Sequence, residues 1–165
     1  MTTSVAGIMA LGCNGATGAE PPRVIRGIAT VIDGDGVEID GVQIRLFGID
    51  APEVGQYCYR ADRQRWRCGQ YSTVELDKVA GGKRVECSVK ATDRYDRPVA
   101  VCRLDGRDLA ELQAAGGWAL AYRRFSGDYV EEEQQAKSAK RGVWAGTFEM
   151  PWAWRQRVRA QEDKR

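Results

Sequence analysis

The sequence contains no histidine among its 165 residues. That absence removes the commonest general base and the commonest zinc ligand. Ser-His-Asp and Cys-His nucleophile schemes are excluded, as are histidine-based metallonucleases. Any hydrolytic chemistry must therefore run on carboxylates and arginines, with or without a hard, oxygen-bound cation. No run of about 18 apolar residues occurs, so no transmembrane helix is expected. Nor is there much net charge: 25 Lys and Arg against 23 Asp and Glu leave +2. Such a balance neither demands nor excludes a polyanionic partner, because local clustering of basic residues matters more than the sum. The length favours one domain with one modest core.

The five cysteines, at 13, 58, 68, 87 and 102, include no C-x-x-C pair of the kind that marks a zinc knuckle or redox site. Cys58 and Cys68 bracket the short loop Tyr59 to Arg67, and Cys87 and Cys102 fall in two segments that both read as strands. Two disulfides, 58–68 and 87–102, with Cys13 left over, is the preferred arithmetic. It implies an oxidising, extracytoplasmic compartment. Five reduced thiols in a cytoplasmic protein is the alternative.

Residues 1–21 are set apart from the fold as a signal-like or disordered leader. The apolar stretch Val5 to Gly12 and the small residues Thr17-Gly18-Ala19 fit a secretory signal, but no Lys or Arg precedes them. Ala10-Leu11-Gly12-Cys13 resembles a lipoprotein cleavage box with Ala10 in place of the usual leucine, which would make Cys13 a lipid anchor.

From Arg23 the pattern turns β-like. Val24 to Ile32 is rich in Val, Ile and Thr, Val37 to Ile39 alternates, and Val42 to Ile49 follows the turn dipeptide Asp40-Gly41. These three strands form a meander. Gln70 to Ala80 reads as a helix stopped by Gly81-Gly82, then Arg84 to Lys90 and Pro98 to Leu104 as strands. Leu109 to Ala115 is a short helix, and a further helix begins near Asp128 with Glu131 completing a capping box. The expected fold is α+β: a five-stranded OB-type barrel with about three helices. It should occupy 22–148, followed by a tail at 149–165 whose tryptophans pack on the barrel and whose end, Arg157 to Arg165, frays.

The chemically dense part is Asp33-Gly34-Asp35, then Arg45, then Asp50-Ala51-Pro52-Glu53. In a meander the turn holding Asp35 and the strand end holding Asp50 lie close together. Two carboxylates at close range repel unless a cation or a shared proton lies between them. A calcium or magnesium site with oxygen ligands answers that need. Taken singly, each aspartate reads as an ordinary turn residue.

Together with Thr92-Asp93-Arg94-Tyr95-Asp96-Arg97, these motifs resemble the staphylococcal-nuclease-like, or thermonuclease, family from about Arg23 to Trp144. The resemblance implies a calcium-dependent endonuclease that cuts DNA and RNA, preferably single-stranded, to 3′-phosphate products, acting as a monomer. It implies Asp35, Asp50 and the Ala51 carbonyl as calcium ligands, with Asp33 orienting water nearby. Glu53 would be the general base, and Arg45 with Arg97 the phosphate-binding pair. Arg94, Tyr95 and Tyr122 match positions that hold the substrate. Two positions depart from the family: Gly36 and Ala51 stand where threonine is usual. Between Tyr57 and Trp66 basic and aromatic residues interleave, a pattern suited to a single strand. The alternative class is a nucleic-acid-binding OB module without catalysis. A phosphodiesterase for a smaller substrate would use the same residues.

Overall fold

The computed structural model describes residues 23–164. The leader and Cys13 lie outside the described residues. The chain runs β1 (Val24–Ile28), β2 (Thr30–Asp33), β3 (Gly36–Ile39), β4 (Val42–Leu46), β5 (Ile49–Asp50), β6 (Cys58–Arg60), β7 (Arg65–Trp66) and α1 (Cys68–Ala80). It continues β8 (Arg84–Thr92), β9 (Pro98–Leu104), β10 (Arg107–Asp108), α2 (Leu109–Ala115), β11 (Leu120–Ala121), α3 (Val130–Ser138), a 3₁₀ turn at Gly142–Ala145, β12 (Gly146–Thr147) and α4 (Pro151–Glu162).

The main sheet is ordered β1-β8-β9-β4-β3-β2, with β10 added on β9. β1 and β2 are parts of one segment separated only by Ala29. The two ends of the sheet are therefore the same stretch of chain, β1 pairing with β8 and β2 with β3. With β1 and β2 counted as one strand, the sheet closes as the expected five-stranded OB-type barrel. Its pairs are antiparallel except β4 with β9, which run parallel and set Arg45 beside Val99. The Asp40-Gly41 turn has positive φ at both residues, 50° and 79°, as a type I′ hairpin requires.

Period-2 alternation fills the barrel with Val37, Ile39, Ile44, Leu46, Val85, Cys87, Ala100 and Cys102, and α1 and α2 close it with Leu76, Leu109 and Ala114. Both expected disulfides are present, Cys58–Cys68 and Cys87–Cys102. The first ties β6 to the first residue of α1 beside a second apolar cluster of Leu120, Val143, Trp66 and Trp152.

Three local expectations are corrected. The Asp128–Glu131 capping box does not form: α3 starts after Tyr129 with no side-chain cap, and the Asp128 amide donates instead to Ser126 Oγ. Tyr129 is drawn inward, its hydroxyl donating to Asp108, and it sets the helix start in place of a cap. The first expected strand breaks at Ala29, where the chain switches partners. Finally, Arg157 to Arg165, expected to fray, continues the helix α4 as far as Glu162, and α4 is opened by a buried proline at its first position.

Candidate active site

The Asp33-Gly34-Asp35 turn between β2 and β3 is pressed against α1. A Cβ at Gly34 would collide with Ser72 and stand 2.7 Å from the Ala51 Cβ, so only glycine fits this approach. Gln113, buried in α2, donates to the Gly34 carbonyl at 2.8 Å and to the Ser72 carbonyl at 3.1 Å. Ser72 in turn donates to the Trp118 carbonyl at 2.7 Å. The turn is thereby fixed by two helices, and Asp35 faces inward. Its amide donates to Asp33 Oδ1 at 3.1 Å, and its Oδ2 accepts from the Ala51 amide at 2.8 Å. A Cβ at Gly36 would lie 2.7 Å from Asp33 Oδ1, so the glycine leaves room for Asp33 to fold back onto the turn.

Asp50 ends β5 and has no exposed surface. It is placed by β11, which pairs Leu120 with Asp50. β11 is anchored by Glu133 of α3, a buried carboxylate that accepts from the Ala121 amide at 3.2 Å and pairs with Arg123. Arg45 on β4 bridges the two aspartates. It donates to Asp35 Oδ1 at 3.0 Å and to Asp50 Oδ1 at 2.8 Å. The structure thus brings the two carboxylates together around one guanidinium.

Glu53 follows on a loop held by Gln56, a fully buried amide. Gln56 Oε1 accepts from the Glu53 amide at 3.2 Å, and its Nε2 donates to the Glu149 carbonyl at 2.6 Å. The loop is therefore fastened to the segment leading into α4.

From α4 comes a residue that sequence reasoning missed. Arg155 donates to Asp50 Oδ1 at 3.0 Å, to Asp50 Oδ2 at 2.8 Å and to Glu53 Oε1 at 2.6 Å. Pro151 followed by eleven residues without glycine or proline was a legible helix signal. Nothing in that signal said that the helix docks on the carboxylates.

Arg97, by contrast, is not joined to the cluster. It pairs with Asp93 at 2.8 Å across the β8–β9 hairpin, where Asp93 Oδ1 also accepts from the Tyr95 and Arg97 amides. It does stand two residues along from Val99, the partner of Arg45, or about 7 Å at strand spacing. Arg94 and Tyr95 are exposed beside it and bonded to each other, 2.7 Å apart. Tyr122 stacks on Trp152 of α4, ring centroids 5.7 Å apart.

The electrostatics follow from burial. Burial raises the Asp35 carboxyl from 3.8 to about 7. The Arg45 charge opposes that shift, while the Asp33 and Asp50 charges add to it. Arg45 is held above its ordinary range, chiefly by the Asp35 charge. For Arg155, burial works against the charge, but hydrogen bonds to Asp50 and Glu53 outweigh it and hold the guanidinium above its usual range.

Three carboxylates, Asp35, Asp50 and Glu53, meet two guanidiniums here, with Asp33 folded back onto the Asp35 amide. Among the described residues no three His, Cys, Asp or Glu side chains are grouped to enclose a metal. The donors that do converge, two buried carboxylates with no sulfur or imidazole beside them, fit a hard cation completed by water and carbonyl oxygen.

Residues 43–146 match the family described as staphylococcal nuclease homologue. The chain belongs to that family. It is similar to the succinoglycan biosynthesis protein ExoI of Rhizobium meliloti, at 38% identity over 78% of this chain and 68% of that one. It is also similar to a probable staphylococcal-like nuclease, CAN2, of Oryza sativa, at 31% identity over 73% of this chain but only 31% of the rice protein. A micrococcal nuclease of Shigella flexneri is 25% identical over 78% of each. Family membership bears out the resemblance and the expectation of a nuclease-type hydrolase. The matched segment carries Arg45, Asp50, Glu53 and Arg97, and it ends before α4.

Proposed function

We propose that the chain is a calcium-dependent nuclease that hydrolyses phosphodiester bonds of DNA and RNA to 3′-phosphate products. One observation carries the reading. Asp35, Arg45 and the Asp50–Glu53 motif come from three separate segments, yet with Arg155 they belong to one continuous hydrogen-bonded network.

Asp35, Asp50 and the Ala51 carbonyl would hold calcium, which would supply positive charge to the phosphate oxygens. Glu53 takes the proton from the attacking water, and the forming hydroxide adds to phosphorus. The 5′-oxygen leaves opposite and picks up a proton from solvent, so the phosphate stays on the 3′ side. Arg45 and Arg97 offer forked donors to the equatorial oxygens as charge builds there. For Arg97 this requires release from Asp93, a partly exposed pair of small net worth. Arg45 would stay beside the aspartates and share its N–H groups between them and the phosphate. Asp33 holds the turn and orients water beside the cation. Arg94 and Tyr95 would engage a terminal phosphate, and Tyr122 a base. The two disulfides suit an extracytoplasmic enzyme.

The test is digestion of single-stranded DNA and of RNA in millimolar calcium and in chelator, wild type beside Glu53→Gln. Cleavage should need calcium and fall by about 10²–10⁴-fold in the variant. The circular dichroism of the variant should be unchanged. Calcium-independent binding without cleavage would replace this reading with a binding module.

A further inference from the structure

Every carboxylate oxygen of Asp35 and Asp50 already accepts a hydrogen bond from the protein. Arg45 and the Ala51 amide serve Asp35, while Arg45 and Arg155 serve Asp50. Asp50 Oδ1 accepts from both guanidiniums and Oδ2 faces the Arg155 fork, so a cation at Asp50 competes with Arg155 for the same oxygens. The two arginines are not equally placed to leave. Arg45 rises from a central barrel strand between β3 and β9 and touches both aspartates. Arg155 stands on the last helix, and Asp50 Oδ2 accepts from it alone.

The rest of α4 covers the same region. Trp152, Arg155 and Arg159 lie at positions i, i+3 and i+7, on one face of the helix. Trp152 stacks on Tyr122, Arg155 fills the carboxylates, and Arg159 reaches the Tyr95 hydroxyl at 3.5 Å. One helical face thus meets both tyrosines assigned to substrate and the carboxylate centre between them. Its first turn is anchored by the buried Pro151 and by Trp152 on the Leu120–Val143 cluster, but beyond Arg155 its polar attachments, the Arg157–Glu149 pair and the Arg159 contact, are exposed. Elements held by exposed polar contacts are those that open most readily.

We propose that α4 is a closed strap across the site and that Arg155 is its resident counter-ion, which a divalent cation displaces from Asp50 as the site loads. The inference rests on the reading of Asp35 and Asp50 as cation ligands. It adds that cation affinity is set by a residue outside residues 43–146, the stretch matched to the family. Loading then shifts α4 from closed to open, because the cation and Arg155 compete for one carboxylate.

The test is calorimetry of calcium binding to the full chain as wild type, Arg155→Gln, Arg155→Lys, Arg157→Gln and Asp50→Asn. Hydrogen exchange of residues 151–162 in the wild type, with and without calcium, runs beside it. Arg155→Gln should bind calcium about tenfold or more tightly than wild type, since a forked charge-assisted competitor is gone. Arg155→Lys, which keeps the charge and loses the fork, should shift in the same direction. Arg157→Gln, which removes a neighbouring charge paired elsewhere, should stay near wild type. Calcium should speed exchange in α4. Unchanged or weaker binding by both Arg155 variants, or protection of α4 by calcium, overturns the strap. If Arg157→Gln gains as much as Arg155→Gln, general charge replaces competition and the proposal fails. If neither wild type nor Arg155→Gln binds calcium, or Asp50→Asn binds as wild type does, the cation reading itself falls.

Discussion

Arg155 grips both oxygens of Asp50 across 105 residues of chain, and Asp50 is wholly buried. A buried carboxylate that loses a partner carries an uncompensated charge, so breaking such a pair costs more than the pair itself contributes. In chelator, Arg155→Gln should lower stability by about 1–3 kcal/mol. The loss should fall toward the lower end, because Arg45 still reaches Asp50 Oδ1. Urea denaturation measures it. Saturating calcium should narrow the gap by taking over the vacated oxygens. A variant more stable than wild type in chelator would mean that the pair is a net burden.

Arg45→Lys keeps the charge but not the fork. Arg45 serves Asp35 and Asp50 through two different nitrogens, a geometry that one ammonium does not reproduce. Cleavage of single-stranded DNA should fall by about 10²–10³-fold, the usual loss when one transition-state donor is removed. Steady-state kinetics in calcium should show that loss mainly in kcat. A change confined to KM would reduce Arg45 to a binding residue.

The barrel was legible because its strands obey period 2 and its turns carry Asp-Gly pairs whose geometry is nearly obligatory, as at Asp40-Gly41. The Asp35–Arg45–Asp50 cluster was legible because a meander brings a turn and a strand end together whatever its side chains. Arg155 was not legible. Its role depends on where a helix docks, and docking follows from tertiary contacts such as Trp152 on Tyr122 and the Gln56 clamp on Glu149. A local pattern can announce a helix at Pro151 without saying which face it buries. The state of Arg97 was hidden for a related reason: Asp93 four residues before it captures the guanidinium in a hairpin, and the motif does not say when that pair opens.

The Cys58–Cys68 bridge closes a loop with a sequence separation of 10 and fastens β6 to the start of α1. Restriction of the unfolded chain by a loop of that size is worth about 2–3 kcal/mol. The double variant Cys58→Ser, Cys68→Ser should lose about that much in urea denaturation under non-reducing conditions. Its activity should fall less than that of Glu53→Gln, because Gln56 still holds the Glu53 loop through its side-chain amide, and only its main-chain carbonyl lies near a sulfur, 3.6 Å from Cys68 Sγ. Non-reducing mass analysis of the purified wild type finding free thiols at 58 and 68 would remove the bridge from the account.

Asp35 sets a pH dependence of the metal-free protein whose sign can be worked out. Burial raises its carboxyl from 3.8 to about 7, against the pull of Arg45. An acid with a raised pKa binds its proton more tightly in the folded state than in the unfolded one. Below about 4 the group is neutral in both states. Between about 4 and 7 the unfolded chain ionises it while the folded chain does not, so its contribution to stability falls as pH rises. Above about 7 it is ionised in both, and the contribution levels off. Other carboxylates titrate in the same range, and Asp93, whose pKa is held low despite burial by the Arg97 and Tyr95 amides, acts with the opposite sign at acid pH. Subtracting an Asp35→Asn reference cancels them. In chelator, the stability of wild type minus that of Asp35→Asn should decline between about pH 4 and 7 and then flatten. A difference that instead climbs with pH would mean that the Arg45 guanidinium outweighs burial and that Asp35 is already ionised in acid, ready for a cation without giving up a proton.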